Sequence, residues 1–133
     1  MAEFNKNKTI TISATIVLYK ESIIELSKTI DSFMSIPHSK KLFLVDNSPT
    51  NILKDKYNHP DIEYIFVGQN VGFGAAHNKA LEKIQNQSQY HLVLNPDVTF
   101  RPNAISDLIV KIEKDNKISM ISPKVLFPSG EHQ

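Results

Sequence analysis

The chain has 133 residues, 41% hydrophobic and 22% charged, which suits one globular domain with its own core and leaves little room for a second. Its 15 basic and 14 acidic side chains give a net charge of +1, which argues against a nucleic-acid partner gripped by bulk positive charge. With no cysteine, disulfide scaffolds and thiolate metal sites are excluded.

Residues 1–9 read as an N-terminal tail. The stretch through Lys20 has lysines but no apolar segment of signal-peptide kind, because Thr and Ser interrupt it. No apolar run approaches the ~18 residues of a membrane span. The expectation is a cytoplasmic chain, and a position at the inner face of a membrane is compatible with it.

Residues 10–18, ITISATIVL, are β-branched and end in an apolar run, the pattern of a strand buried on both faces. Ser22-Ile23-Ile24-Glu25 fits a capping box, and Ile23, Leu26, Ile30, Phe33 and Met34 recur at helical spacing to about residue 35, before Pro37. Leu42 to Val45 is a second buried strand, stopped by the turn signal Asp46-Asn47-Ser48-Pro49. Ile62 to Val67 is a third strand, followed by the glycine-spaced loop Gly68 to Gly74 and a helix with Ala76, Ala80, Leu81 and Ile84 on one face. The polar run Gln85 to Gln89 reads as a helix end and loop. Tyr90 to Leu94 is a fourth strand, stopped by Asn95-Pro96-Asp97. Pro102 suits the first turn of a helix striped by Ile105, Leu108, Ile109 and Ile112, and Ile118 to Ile121 is a fifth strand candidate.

Strands alternating with helices predict an α/β fold, a mostly parallel open sheet with helices on its faces. Right-handed crossovers then gather the strand carboxyl ends at one edge, where ligands of open α/β sheets bind. That edge collects Tyr19-Lys20-Glu21, Asp46-Asn47, the glycine loop and Asn95-Pro96-Asp97. The loop leads into a helix start whose free N–H groups suit an anion, although its glycines also fit a plain tight turn. A third dinucleotide-fingerprint glycine would fall at His77, and no Gly-Lys-Ser/Thr follows, so neither nucleotide fingerprint fits. Asp97, at a strand end, is placed to hold Mg²⁺ or Mn²⁺, which need only one or two carboxylates. Asp46 is placed to accept a hydrogen bond from a base or ribose, and Tyr19 to stack on a base. Both aspartates also fit ordinary turn chemistry. His77 reads either as a phosphate neighbour or as a partly exposed helix residue, and the five histidines show no metal-binding spacing.

Taken in order, Ile16-Val17-Leu18-Tyr19, Val45-Asp46-Asn47-Ser48, Asn70 to Asn78, Leu94 to Val98, and Pro123-Lys124-Val125 with Gly130 resemble the family 2 glycosyltransferases, especially their rhamnosyltransferase-like branch. The resemblance spans residues 10–133 and implies a GT-A, Rossmann-like nucleotide-sugar-binding domain. It implies an inverting, metal-assisted transfer from a nucleotide diphosphate sugar to a glycan or lipid-linked acceptor, as in polysaccharide biosynthesis, and its branch points toward dTDP-rhamnose. By position, Val17 and Tyr19 line the base pocket, with Glu21 on the same loop. Asp46 contacts the base, with Asn47 beside it. Asn70, Gly72 and Asn78 lie toward the ribose and diphosphate. Asn95-Pro96-Asp97 stands where the family has Asp-x-Asp, so Asn95 faces the donor and Asp97 holds the Mn²⁺ or Mg²⁺. The acceptor half and the catalytic base lie downstream of the matched region, and Glu131 is not assigned as the base. The chain therefore reads as a donor half, active or not by itself, whose exposed apolar surface is compatible with a homodimer. The alternative is a non-catalytic nucleotide-binding or interaction domain on the same fold.

Overall fold

The structure is a computed structural model and describes residues 10–132; the N-terminal tail, residues 1–9, lies outside the described residues. The elements run β1 (Ile10–Leu18), α1 (Ile23–Met34), β2 (Lys40–Asp46), β3 (Ile62–Phe66), α2 (Phe73–Ile84), β4 (Ser88–Leu94) and α3 (Pro102–Glu113). The four strands form one sheet in the order β3-β2-β1-β4, every pair parallel. From β1 the sheet grows outward through β2 to β3, and β4 then returns to the other side of β1. With right-handed crossovers, that reversal puts the helix after β1 and the helix after β3 on opposite faces.

Strand parity sorts the core accordingly, because successive side chains point to opposite faces. Ile12, Ala14, Ile16 and Leu18 of β1 join Leu42 and Leu44 of β2, Leu26, Ile30 and Phe33 of α1, and Ile105 of α3 in one buried cluster. Phe43 and Val45 of β2 meet Ala76, Ala80 and Ile84 of α2 in the other. Each fully buried Leu, Ile or Phe contributes about 1.5–3 kcal/mol from burial. The expected parallel sheet with helices on both faces is what the chain forms.

Four local expectations differ. The capping box is not made: Ser22 is the N-cap of α1 without a side-chain bond, and Glu25 instead pairs with Lys28 at 3.1 Å. β4 begins at Ser88, inside the run expected to be loop, because Ser88 pairs with Ile10. A strand bonded on one side only tolerates such polar residues. Ile118 to Ile121 forms no strand among the described residues; it follows a turn in which Ile118 N–H bonds Asp115 O, and Met120 is 87% exposed. Its two half-buried isoleucines are too short a run to hold a ladder. Finally, Ile23 of α1 and Leu81 of α2, members of the expected apolar stripes, are exposed, whereas His77 of α2 is buried.

Candidate functional site

The sheet register decides what shares the carboxyl edge. Leu18 pairs with Asp46, Asp46 with Phe66, and Ile16 with Leu94, so the strands end nearly level. The loops after them are then tied together. Asn47 N–H donates to Leu18 O at 2.8 Å, Lys20 N–H donates to Ser48 Oγ at 2.8 Å, and Val67 N–H donates to Asp46 O at 2.9 Å. Lys20 takes a φ of +54°, the left-handed conformation that turns the β1 loop sharply at this point.

Asp46 is 1% exposed. One carboxylate oxygen accepts the Ser48 N–H at 2.9 Å and the other accepts the Tyr64 hydroxyl at 2.6 Å. Two oxygens offer about four acceptor positions, so acceptor capacity remains. Tyr64 is in turn held protonated: burial, then the hydrogen bond and charge of Asp46, push its phenol well above the ordinary tyrosine range. Asn47, of opposite parity, points the other way. Its Nδ2 donates to Gly72 O at 3.3 Å and reaches Asn70 Oδ1 at 3.5 Å, while Asn70 Oδ1 accepts the Gly72 N–H at 3.0 Å. Asn47 Oδ1 is buried without a partner among the described residues. Such an acceptor costs about 1–3 kcal/mol, which a ligand donor or a water at the end of β2 would relieve.

Gly72 is the N-cap of α2 at φ +90° and ψ 166°, a conformation open essentially to glycine alone. No side chain caps this helix start and no acidic residue lies in its first turn, so its N–H groups and positive dipole end are left for an anion. Asn95 and Asp97 are both exposed beyond β4. Among the described residues no group of three or more His, Cys, Asp or Glu gathers as a metal cage. One exposed carboxylate beside an amide still suits a hard cation that takes its remaining ligands from phosphate and water.

The structure thus joins Asn47, Asn70 and Gly72 by direct hydrogen bonds and sets Tyr19 and Glu21 on the same edge. Tyr19 is 46% exposed, with the Lys20 ammonium 5.3 Å from its ring centre. Asp46 ends β2 and the Asn95-Pro96-Asp97 turn follows β4, the two strands that flank β1 in the sheet. Val17 is half-buried against the α2-side cluster, and Asn78 lines a cleft of about 490 Å³ between α2 and β4, together with Ser88 and His91. His77 is 5% exposed, packs edge-on to Phe73 at 4.2 Å, and has both ring nitrogens buried without partners among the described residues. Burial lowers its pKa. Nearby, His91 lies between Ser13 Oγ at 2.7 Å and Thr15 Oγ1 at 3.0 Å, and burial, with the influence of His77, lowers its pKa to about 4.

Sequence reasoning did not find Tyr64, Ser48 or Thr29. Tyr64 shows only as an apolar-compatible strand residue, and its role needs the β2–β3 register. Ser48 was legible as turn chemistry and as the end of the Val45-Asp46-Asn47-Ser48 motif, but not as the acceptor of the Lys20 N–H. Thr29, 0% exposed, was hidden by being a helix-interior polar residue.

The sequence model of glycosyl transferase family 2 matches residues 13–130. Over 91 residues the chain is 34% identical to the low-salt glycan biosynthesis hexosyltransferase Agl10 of Haloferax volcanii, which covers 65% of this chain and 29% of that protein. The fold is similar to the crystal structure of S. aureus TarS 1-349, with a TM-score of 0.65 at 18% identity, over 90% of this chain and 40% of that one. That likeness bears out the GT-A-type α/β architecture. The chain spans less than a third of its curated relative's length. Among the described residues, no helix is long and apolar enough to cross a membrane.

Proposed function

The chain belongs to glycosyl transferase family 2, and from that membership we propose that its sheet edge holds the nucleotide diphosphate of a sugar donor, as the donor-binding part of a glycosyltransferase. The observation that carries this reading is the joining of the β2 end to the glycine loop through Asn47, with Asp46 on one side and the uncapped start of α2 on the other.

In this reading Asp46 accepts from the base, Tyr19 covers the base and Glu21 borders that pocket, while Val17 backs the edge from the other face, its side chain turned to the α2-side cluster. Asn47 and Asn70 face the ribose and diphosphate, the first-turn N–H groups of α2 bind a diphosphate oxygen, and Asn78, in the second turn beside the α2–β4 cleft, lies outside that cluster. The leaving nucleotide diphosphate gains negative charge as its bond to the sugar breaks. Donors fixed in advance at the place where that charge grows stabilise the transition state without reorganising. Asp97, with Asn95 beside it, would hold Mg²⁺ or Mn²⁺, which when bound neutralises diphosphate charge as a Lewis acid. The acceptor is a glycan or lipid-linked sugar, the transfer inverting, and the carboxylate base lies outside the residues assigned above. The rhamnosyltransferase-like motifs favour a dTDP-linked donor, used by a cytoplasmic enzyme or one resting on a membrane surface.

Calorimetric titration with UDP, dTDP and GDP, each with and without Mn²⁺, tests the proposal. One nucleotide should bind and bind more tightly with Mn²⁺, and Asp97→Ala should remove the Mn²⁺ increment. Binding of none of the three would refute the donor site.

A further inference from the structure

The turn that carries Asp97 is not free. Along residues 95–101 exposure alternates: Pro96, Val98 and Phe100 are half-buried, while Asn95, Asp97, Thr99 and Arg101 are exposed. Val98 and Phe100 pack on the α1-side core. Apolar packing is non-directional and leaves the polar backbone groups of the segment to be fixed by hydrogen bonds.

Two hydroxyls on α1 supply such bonds. Thr29 is 0% exposed, and its Oγ1 lies 2.8 Å from Pro96 O and 3.4 Å from Glu25 O. A hydroxyl has one proton to give, and the shorter contact takes it: Thr29 donates to Pro96 rather than back to its own helix. One turn on, Ser32 Oγ donates to Lys28 O at 3.1 Å and accepts the Phe100 N–H at 3.3 Å. The carbonyl before Asp97 and the amide three residues after it are thus clasped by residues three apart on one helix face. A threonine in a helix interior ordinarily satisfies itself on the preceding turn, so its buried donation outward marks a tertiary role.

We propose that Thr29, assisted by Ser32, is a positioning residue for the Asp97 turn and sets the cation affinity of the edge without touching nucleotide or cation. This rests on the reading of Asp97 as the cation ligand. Removing the clasp should leave Asp97 in place chemically but spread over several positions, so that binding the cation must also order the turn.

The test uses Mn²⁺ affinity, read by electron paramagnetic resonance with saturating UDP, dTDP or GDP, alongside amide hydrogen exchange of residues 97–100. Thr29→Val keeps the shape and removes the hydroxyl. It should weaken Mn²⁺ binding by roughly two- to tenfold, the worth of one hydrogen bond, and speed exchange of the turn amides. Nucleotide affinity without Mn²⁺ should stay unchanged. Thr29→Ser should restore both readouts, and Ser32→Ala should shift them in the direction of Thr29→Val. Ile84→Val, which loosens the core cluster on the other face of the sheet, should leave Mn²⁺ affinity as it is. If Asp97→Ala leaves Mn²⁺ binding intact, the cation reading fails and takes this inference with it. If Asp97→Ala abolishes binding while Thr29→Val and Ser32→Ala bind Mn²⁺ as the wild type does, the positioning role alone is overturned.

Discussion

Tyr64→Phe tests the wiring of the base-side edge most directly. The substitution keeps the ring, which packs on the α1-side core, and deletes only the hydroxyl that donates to Asp46 at 2.6 Å. Asp46 is 1% exposed, so water does not readily replace the lost donor. A hydrogen bond to a buried charged acceptor contributes about 1.5–3 kcal/mol. In a domain of this size a loss near the middle of that range lowers the thermal midpoint by roughly 6–10 °C. The pH dependence gives a second handle. The folded phenol titrates above its ordinary value, from burial first and then from Asp46. The unfolded chain therefore loses this proton first, from about pH 10. Stability from this group is complete below pH 10 and is lost as pH rises above it, so the gap between wild type and Tyr64→Phe should narrow there. Urea unfolding followed by circular dichroism at pH 7 and above pH 10 reads both effects. A double-mutant cycle with Asp46→Asn isolates the pair. A loss under about 0.5 kcal/mol, or strictly additive single substitutions, would refute the reasoning.

Three further outcomes follow from the same geometry. His91, neutral between Ser13 and Thr15 with a pKa lowered to about 4, should show no imidazole titration by NMR near the ordinary value of 6.5. Because the unfolded histidine takes up its proton first, stability should fall as pH drops from about 6.5 toward 4, and His91→Gln should flatten that limb; a titration near 6.5 would contradict the burial argument. Gly72→Ala meets no atom within 4 Å of the added Cβ, yet its φ of +90° should still cost about 1–3 kcal/mol in urea unfolding and weaken nucleotide binding; an unchanged midpoint would remove the strain argument. In α1, Leu26→Ala should cost about 2–5 kcal/mol because Leu26 is fully buried, whereas Ile24→Ala, at a 67% exposed position, should stay within about 0.5 kcal/mol; equal losses would mean the helix is turned differently.

Much of this protein is legible from local pattern, because hydrophobic period and turn chemistry are local properties. Runs such as Ile10–Leu18 and Leu42–Val45 could bury themselves only as strands, and the stripes ending at Met34, Ile84 and Ile112 needed a sheet to cover. Alternation of the two puts Asp46, the glycine loop and Asp97 at strand ends on one edge. Local pattern was silent where side chains far apart in sequence meet. It read Ser88 and Gln89 as loop, although pairing with β1 makes them strand. It read Glu25 as part of a cap, although Lys28 takes it. It had no means of seeing that Tyr64 holds Asp46, that Asn47 reaches across to Gly72, or that Thr29 fastens Pro96. Those bonds join residues 18, 25 and 67 positions apart, and they exist only because strand register and helix rotation bring particular atoms within 3.5 Å. The sequence alone therefore determined the fold class and the edge where chemistry belongs. The tertiary structure decided which groups on that edge are held, by what, and which are left open to a ligand.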